Sequence, residues 1–344
     1  MSNAPRALLE RLPAPPPGLT GWPWTAPVPP SVPTVPPGGL PRITVVTPSY
    51  NQGQFLEETI RSVLLQGYPD LEYMVVDGGS TDESVEIIRK YEDHLAWWVS
   101  EKDRGQSHAI NKGLSRSTGR ILAYLNSDDL YEPGALHAVE RAFVPGVHWV
   151  SGKVICWENG GDPWPFPELP GRGFTKWLLG CPISQPAVFW SASLQREAGP
   201  FREDLQYAMD YEFWLRLRFG LGRSPRRLDR ILARYRIHGD SKSIAHQQGM
   251  AREIKDLVRA CEAELPPARR VRLRLARRHR LGRVHGARAL SNLKARKTGG
   301  AVAELSSALR AWPLLPLDVG AMAALLRSLR SSGPPSVFPD IWSE

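Results

Sequence analysis

Asp128 and Asp129 are adjacent acids that follow the apolar run Ile121-Leu122-Ala123-Tyr124-Leu125. Hard divalent cations such as Mg²⁺ and Mn²⁺ prefer oxygen ligands and share them with substrate phosphates, so an acid pair at a strand end can hold one. The same pair can cap a helix starting near Glu132-Pro133-Gly134, because acids favour helix N-termini. On its own the pair does not separate the two readings. Gly78-Gly79-Ser80 is not a phosphate-binding loop of the P-loop kind, since the lysine and the spacing are missing. No Ser-His-Asp or Cys-His arrangement stands out.

The elements around these acids follow from periodicity. Ile43-Thr44-Val45-Val46-Thr47 reads as a buried strand, and Phe55 to Gln66 as a helix with Leu56, Ile60, Val63 and Leu64 on one face. Strands are predicted at Leu71 to Asp77, Trp97 to Ser100 and Arg120 to Leu125, with helices ending near Tyr91 and spanning Ala109 to Ser115. This alternation implies a mostly parallel sheet covered on both faces by helices. Such sheets bind ligands beyond the carboxyl ends of their strands. The loops after Thr47, Val76 and Leu125 all leave at that end and should converge on one site. Further on, the pattern predicts a helix near 204–219 and strands near 147–157 and 231–237. From about 250 it is helical, broken at Pro266-Pro267 and at Gly299-Gly300, with a spacing like a helical hairpin over 300–330.

Composition sets the frame. The 344 residues are 42% hydrophobic and 23% charged, with a formal charge of +9, ordinary for a globular protein. The excess charge is local: residues 266–297 carry many Arg and Lys and no Asp or Glu. That run is either a solvated helix face or a surface for anionic lipid or another polyanion. It lacks the interleaved aromatics of a single-strand binder, so no nucleic-acid partner is expected. The three cysteines form neither a disulfide framework nor a zinc pattern, and the N-terminus does not read as a secretory leader. A cytoplasmic location is expected, peripheral at the inner face of the cell membrane. Residues 1–41 are proline-rich and should be extended and weakly ordered, although Trp22 and Trp24 offer a way to dock them.

Several weak motifs occur in a fixed order. They are Thr47-Pro48-Ser49-Tyr50-Asn51, Val76-Asp77-Gly78-Gly79-Ser80-Thr81-Asp82, Asp103-Arg104-Gly105-Gln106 with Ala109-Ile110-Asn111-Lys112-Gly113, and Leu125-Asn126-Ser127-Asp128-Asp129. Later come Ser184-Gln185-Pro186, Asp210-Tyr211-Glu212-Phe213-Trp214 and Tyr235-Arg236-Ile237-His238. Together they resemble the family 2 glycosyltransferases over roughly 43–245. The resemblance implies a GT-A fold, which is α/β and Rossmann-like, plus a C-terminal helical extension. The implied layout is a glycosyltransferase domain over 42–248, with a nucleotide half (42–131) and an acceptor half (132–248), and a basic extension over 249–344.

By that resemblance, Pro48 and Tyr50 would flank the nucleotide base, with Tyr50 stacking. Asp77 would bond the nucleoside or simply form its turn. Asp103 and Arg104 would read the base, or form a surface salt bridge. Asp129 would bind Mn²⁺ or Mg²⁺, Asp128 would take the ribose or share the metal, and His238 would complete the metal or diphosphate contacts. Asp210 would be the catalytic base. Glu212, pointing away from it on a helix, is the reserve and would line the acceptor side with Gln185. Two departures stand out: Gly78 replaces a second acid common in relatives, and Met209 replaces another. The implied reaction is inverting transfer from a nucleotide-diphospho-sugar to a glycan or lipid-linked glycan, as in cell-envelope polysaccharide synthesis. A catalytically impaired nucleotide-sugar-binding module of the same fold is the alternative those departures motivate.

Overall fold

The computed structural model describes residues 9–26, 39–158, 161–166 and 173–315. Strand β1 (Ile43–Ser49) is buried along its whole length, as a parallel strand covered on both faces must be. It pairs in parallel with β2 (Leu71–Asp77) and β4 (Ile121–Tyr124), and β2 pairs in parallel with β3 (Trp97–Ser100). Helices α1 (Gly53–Leu64), α2 (Ser84–Lys90) and α3 (Gln106–Arg116) make the crossovers. Every element expected in this half is present, shifted by at most three residues at its ends.

The second half adds β5 (Leu130–Tyr131), helix α4 (Ala135–Ala142), β6 (Trp149–Trp157), β7 (Trp164–Pro165), helix α5 (Gly173–Leu178), β8 (Val188–Ser191), helices α6 (Ala192–Ala198) and α7 (Met209–Leu215), and β9 (Arg226–Arg236). The sheet order is β3-β2-β1-β4-β8-β6-β9-β5, with β7 on β6. Here β8 runs antiparallel to β4 and β6, and β5 antiparallel to β9, while β6 and β9 are parallel. Two expectations shift. The helix predicted near 204–219 starts only at Met209 and gives way to a π-helical turn over Arg216–Gly220. The last strand begins at Arg226 rather than 231.

The chain divides into two compact units, residues 1–166 with 183–241 and residues 167–182 with 242–344. In the first, part of the proline-rich segment is docked rather than loose. Trp24 and Leu12 are buried, and the Trp22 indole donates to the Tyr131 carbonyl at 2.9 Å. The anchor is Arg61, fully buried. Its guanidinium donates to the carbonyls of Pro13, Pro23 and Trp24 at 2.8, 3.2 and 3.0 Å and to the Tyr91 hydroxyl at 2.9 Å. Proline lacks an N–H but keeps its carbonyl, so a proline-rich strap can still satisfy a buried cation. Arg61→Met keeps the stem and abandons those carbonyls. It should cost about 2–4 kcal/mol, read as a lower urea midpoint with an unchanged slope.

The second unit is helical: α8 (Lys242–Ala245), α9 (Gln247–Ala263), α10 (Pro267–Lys294) and α11 (Thr298–Ala311), joined by α5. The expected break at Gly299-Gly300 falls instead at Arg296, whose positive φ of 57° ends α10. Both glycines lie inside α11. Gly282 makes the α10–α11 crossing close, since a Cβ there would meet the Trp312 Cβ at 2.5 Å. Of the hairpin expected over 300–330, residues beyond 315 lie outside the described ones. Much of the basic run has work inside this unit. Arg277 pairs with Glu262 at 2.6 Å, Arg280 donates to the Leu179 carbonyl at 2.7 Å, and Arg269 and Arg272 stand 5.7 and 5.6 Å from the Phe174 ring centre. These contacts tie Phe174 and Leu179 to α10 within this unit. Among the described residues, no helix is long and apolar enough to cross a membrane.

Candidate active site

The strand order reverses between β1 and β4, and the loops leaving the carboxyl ends of β1, β2 and β3 are tied together by backbone bonds. The Gly78 N–H donates to the Ser49 carbonyl at 2.9 Å and the Glu101 N–H to the Asp77 carbonyl at 3.1 Å. Asp77 is buried, and its carboxylate accepts from the N–H groups of Gly79 and Ser80 and the hydroxyls of Ser80 and Ser100, at 2.5–3.0 Å. Four donors on one carboxylate favour the turn-forming reading of Asp77 over the nucleoside contact. Pro48 lies buried within β1. Tyr50 is 61% exposed, a free aromatic face at the rim of these loops.

Gly78 has a reason. A Cβ at this position would meet the Asp103 Oδ2 at 2.7 Å and the Tyr50 ring at 3.3 Å. Asp103 and Tyr50 therefore close over a backbone that must carry no side chain. The second Asp103 oxygen accepts from the Gly105 N–H at 2.7 Å. Asp103 and Arg104 do not pair with each other: Arg104 reaches Glu203 at 2.6 Å. Gly78→Ala should push the Asp103 carboxylate aside. Overpacking costs about 1–3 kcal/mol; felt in full by the bound nucleotide, that is roughly a 5- to 150-fold loss of affinity, measured with UDP and GDP by calorimetry.

The two adjacent acids separate in role. The Asp128 Oδ2 lies 3.1 Å from the His238 Nε2, and both side chains retain some exposure. The His238 ring packs on Phe55 at a centroid distance of 4.6 Å. Asp129 is fully buried. Its Oδ1 accepts from the Arg236 N–H at 3.0 Å, and its Oδ2 is a buried atom with no hydrogen-bond partner. Burial and the neighbouring Asp128 charge push the Asp129 carboxyl well above its ordinary value. Helix capping is not the purpose of either acid: β5 intervenes, and the N-cap of α4 is Gly134, with no side-chain cap.

Arg236 has no role in the sequence reading, yet it organises this corner. Its Nε donates to the Asp128 carbonyl at 3.0 Å, and its terminal nitrogen pairs with Glu58. The guanidinium is sandwiched between Phe55 and Trp157, at 4.7 and 4.4 Å from the ring centres. Thr59 of α1 donates its hydroxyl to the carbonyls of Ser127 and Asp129, both at 2.9 Å. Nothing in spacing marks Glu58 or Thr59. Arg236 lies two residues before His238 in a motif, which is the one signal available.

A run of amides holds the loop from its other side. The Gln106 amide donates to the Asn126 Oδ1 at 2.7 Å, Asn126 donates to the Gln185 Oε1 at 3.4 Å, and Gln185 donates to the Tyr124 carbonyl at 2.7 Å. Gln185 is buried and braces the acid loop through these bonds. Both oxygens of Glu212 accept from Arg216, at 2.7 and 3.2 Å.

Asp210 stands apart from all of this. It opens α7 and accepts from the Tyr211 N–H at 2.6 Å. Burial raises its pKa from 3.8 to about 6, against the lowering effect of that backbone bond. A carboxylate titrating near 6 suits a general base at neutral pH.

A cation can be tested against this chemistry. Asp128 supplies carboxylate oxygen and His238 an imidazole nitrogen, a mixed donor set that fits Mn²⁺ better than the all-oxygen preference of Mg²⁺. Among the described residues, no group of three or more His, Cys, Asp or Glu could hold a metal. Two protein ligands fit a cation that takes its remaining oxygens from a diphosphate and water.

The family described as Glycosyl transferase family 2 matches residues 44–198. An uncharacterized glycosyltransferase of Mycobacterium tuberculosis, Rv1514c, is 30% identical over 185 residues, 51% of this chain and 68% of the relative. The chain belongs to glycosyltransferase family 2. It is a transferase. Another relative of this family 2 enzyme is an uncharacterized glycosyltransferase of Haemophilus influenzae, 27% identical over 62% of this chain and 72% of the relative. Among solved structures, S. aureus TarS 1-349 in complex with UDP-GlcNAc superposes with a TM-score of 0.54 at 19% identity, covering 84% of this chain and 89% of that one. Mannosyltransferase PcManGT from Pyrobaculum calidifontis, in complex with GDP-Man and Mn²⁺, gives 0.53 at 20% identity, covering 86% and 82%. These likenesses show the shared fold.

Proposed function

We propose that this family 2 enzyme moves a sugar from a nucleotide-diphospho-sugar to a hydroxyl of a glycan or lipid-linked glycan, with inversion, in cell-envelope polysaccharide synthesis. The observation that carries this reading is the Asp128–His238 pair beside the joined strand-end loops. The solved complexes with UDP-GlcNAc and with GDP-Man and Mn²⁺ support a nucleotide-sugar donor. A putative teichuronic acid biosynthesis glycosyltransferase of Bacillus subtilis, TuaG, supports the acceptor class; it is 39% identical over 28% of this chain and 39% of that protein.

The exposed Tyr50 ring stacks on the nucleotide base, and the Asp103 carboxylate accepts from an N–H on its edge. Asp128 and His238 hold the cation, and Arg236 and Asp129 fix the loop beneath. The cation, when bound, offsets negative charge on the leaving diphosphate. Asp210 accepts the proton of the acceptor hydroxyl as its oxygen bonds to the anomeric carbon. The bond to the diphosphate breaks with its electron pair, and the configuration inverts without a covalent enzyme intermediate. Exposed Arg269, Arg272 and Arg274, with the exposed Val271 and Leu275 beside them, suit peripheral contact with anionic lipid.

The test is nucleoside diphosphate release from UDP-GlcNAc, UDP-glucose and GDP-mannose, with Mn²⁺ and membrane-extracted glycolipid. Release from one donor, stopped by EDTA, is the expected result. Tight nucleotide binding with no release from any donor would point to the impaired binding module.

A further inference from the structure

The Ala109-Ile110-Asn111-Lys112-Gly113 motif has no part in the chemistry above, and its central residue does something specific. Asn111 lies on α3, just after the Asp103-Arg104 loop. Its Oδ1 accepts from the Phe201 N–H at 2.8 Å, and its Nδ2 donates to the Phe201 carbonyl at 2.8 Å. Both polar groups of one backbone residue, 90 positions away, are satisfied by a single amide. The same Nδ2 reaches the Glu203 Oε1 at 3.2 Å, and the other Glu203 oxygen accepts from Arg104 at 2.6 Å. The segment 201–203 is thus clamped to the end of the donor half.

That segment leads into the base. The Phe201 ring is buried and stacks on Phe213 of α7, with centroids 4.3 Å apart and an interplanar angle of 21°. On its other side Phe201 meets Tyr124, the last residue of β4, edge-on at 5.5 Å. Phe213 shares α7 with Asp210. A rigid series therefore runs from Asn111 through the Phe201 backbone and ring to Phe213 and the helix that carries the carboxylate.

We propose that Asn111 is a positioning residue: through Phe201 it sets where the α7 helix presents Asp210 relative to the donor loops. The role rests on Asp210 being the base. Asn111 itself touches neither sugar nor nucleotide. Loss of the clamp leaves two buried backbone groups unpaired and frees α7 to shift, and misplacement of a reacting group by about 1 Å can cost ~100-fold in rate.

The test uses full-length Asn111→Ala and, separately, Phe201→Leu, which keeps the backbone bonds and removes the stacked ring. Three readouts apply: binding of UDP and GDP with Mn²⁺, turnover of the donor found active, and the carboxyl ¹³C titration of Asp210. For both variants we expect nucleotide affinity within about twofold of wild type. Turnover should fall roughly 10- to 100-fold, and the Asp210 midpoint should drop as α7 loosens and water reaches the carboxylate. Either variant that folds reports on the proposal. An unmoved Asp210 titration with undiminished turnover overturns it, as does a loss confined to nucleotide affinity. If wild type turns over no donor but the titration still moves, the positioning stands and the assignment of Asp210 as base fails.

Discussion

Asp210→Asn abolishes turnover while leaving nucleotide binding intact. The expected loss is about 10²–10⁴-fold, the usual contribution of a positioned general base, and it should appear in kcat with little change in the KM for donor. The pH dependence follows from the shifted carboxyl. Burial raises Asp210 from 3.8 to about 6, and only the ionised form can accept a proton, so wild-type kcat should climb as pH rises through about 6 and then level. Stability moves the other way. A carboxyl whose folded pKa is raised favours the folded state below pH 4 and loses that contribution as pH rises through about 6. The neutral amide should therefore be more stable than wild type by about 1–3 kcal/mol at pH 8, with no gain at pH 3. Higher stability with lost activity would mark Asp210 as a site where burial is kept for function.

The second large effect separates the adjacent acids. Asp128→Asn removes the carboxylate that faces His238 and should weaken Mn²⁺-dependent nucleotide binding about 100-fold or more, with His238→Ala giving a smaller loss of roughly 10- to 100-fold. Asp129→Asn should do neither. Asp129 is buried, held toward its neutral form, and bonded to the Arg236 N–H; an amide oxygen accepts that bond equally well. Isothermal titration of Mn²⁺ in the presence of UDP or GDP reads all three variants. Equal damage from the two Asp substitutions would mean that both oxygens reach the cation.

The parallel half of the sheet could be read from residue patterns because its signals are local. Ile43 to Thr47, Leu71 to Asp77 and Arg120 to Leu125 are short runs closed by turn residues, and their order alone brings three loops to one edge. The site beneath could not be read that way. Whether Asp129 is exposed or buried depends on β9, which brings Arg236 to it from 107 positions downstream. The commitment of Glu212 to Arg216, and of Gln185 to Tyr124, likewise emerges only when side chains are placed. Gly78 shows the reverse case. As a missing acid it looked like a loss, whereas in the fold it makes room for Asp103 and Tyr50. The basic run holds a further case: some of its arginines serve Glu262, Leu179 and Phe174, contacts that charge counting does not see.

The central claim is that Asp128 and His238, and not Asp129, hold the cation of a nucleotide-sugar site. Crystals grown with Mn²⁺ and UDP or GDP, with diffraction recorded at the manganese edge, test it most directly. An anomalous peak within bonding distance of the Asp128 carboxylate and the His238 imidazole, with the diphosphate completing the sphere, is the predicted result. A manganese peak on Asp129 alone, or nucleotide bound elsewhere than the loops of Tyr50 and Asp103, would contradict it.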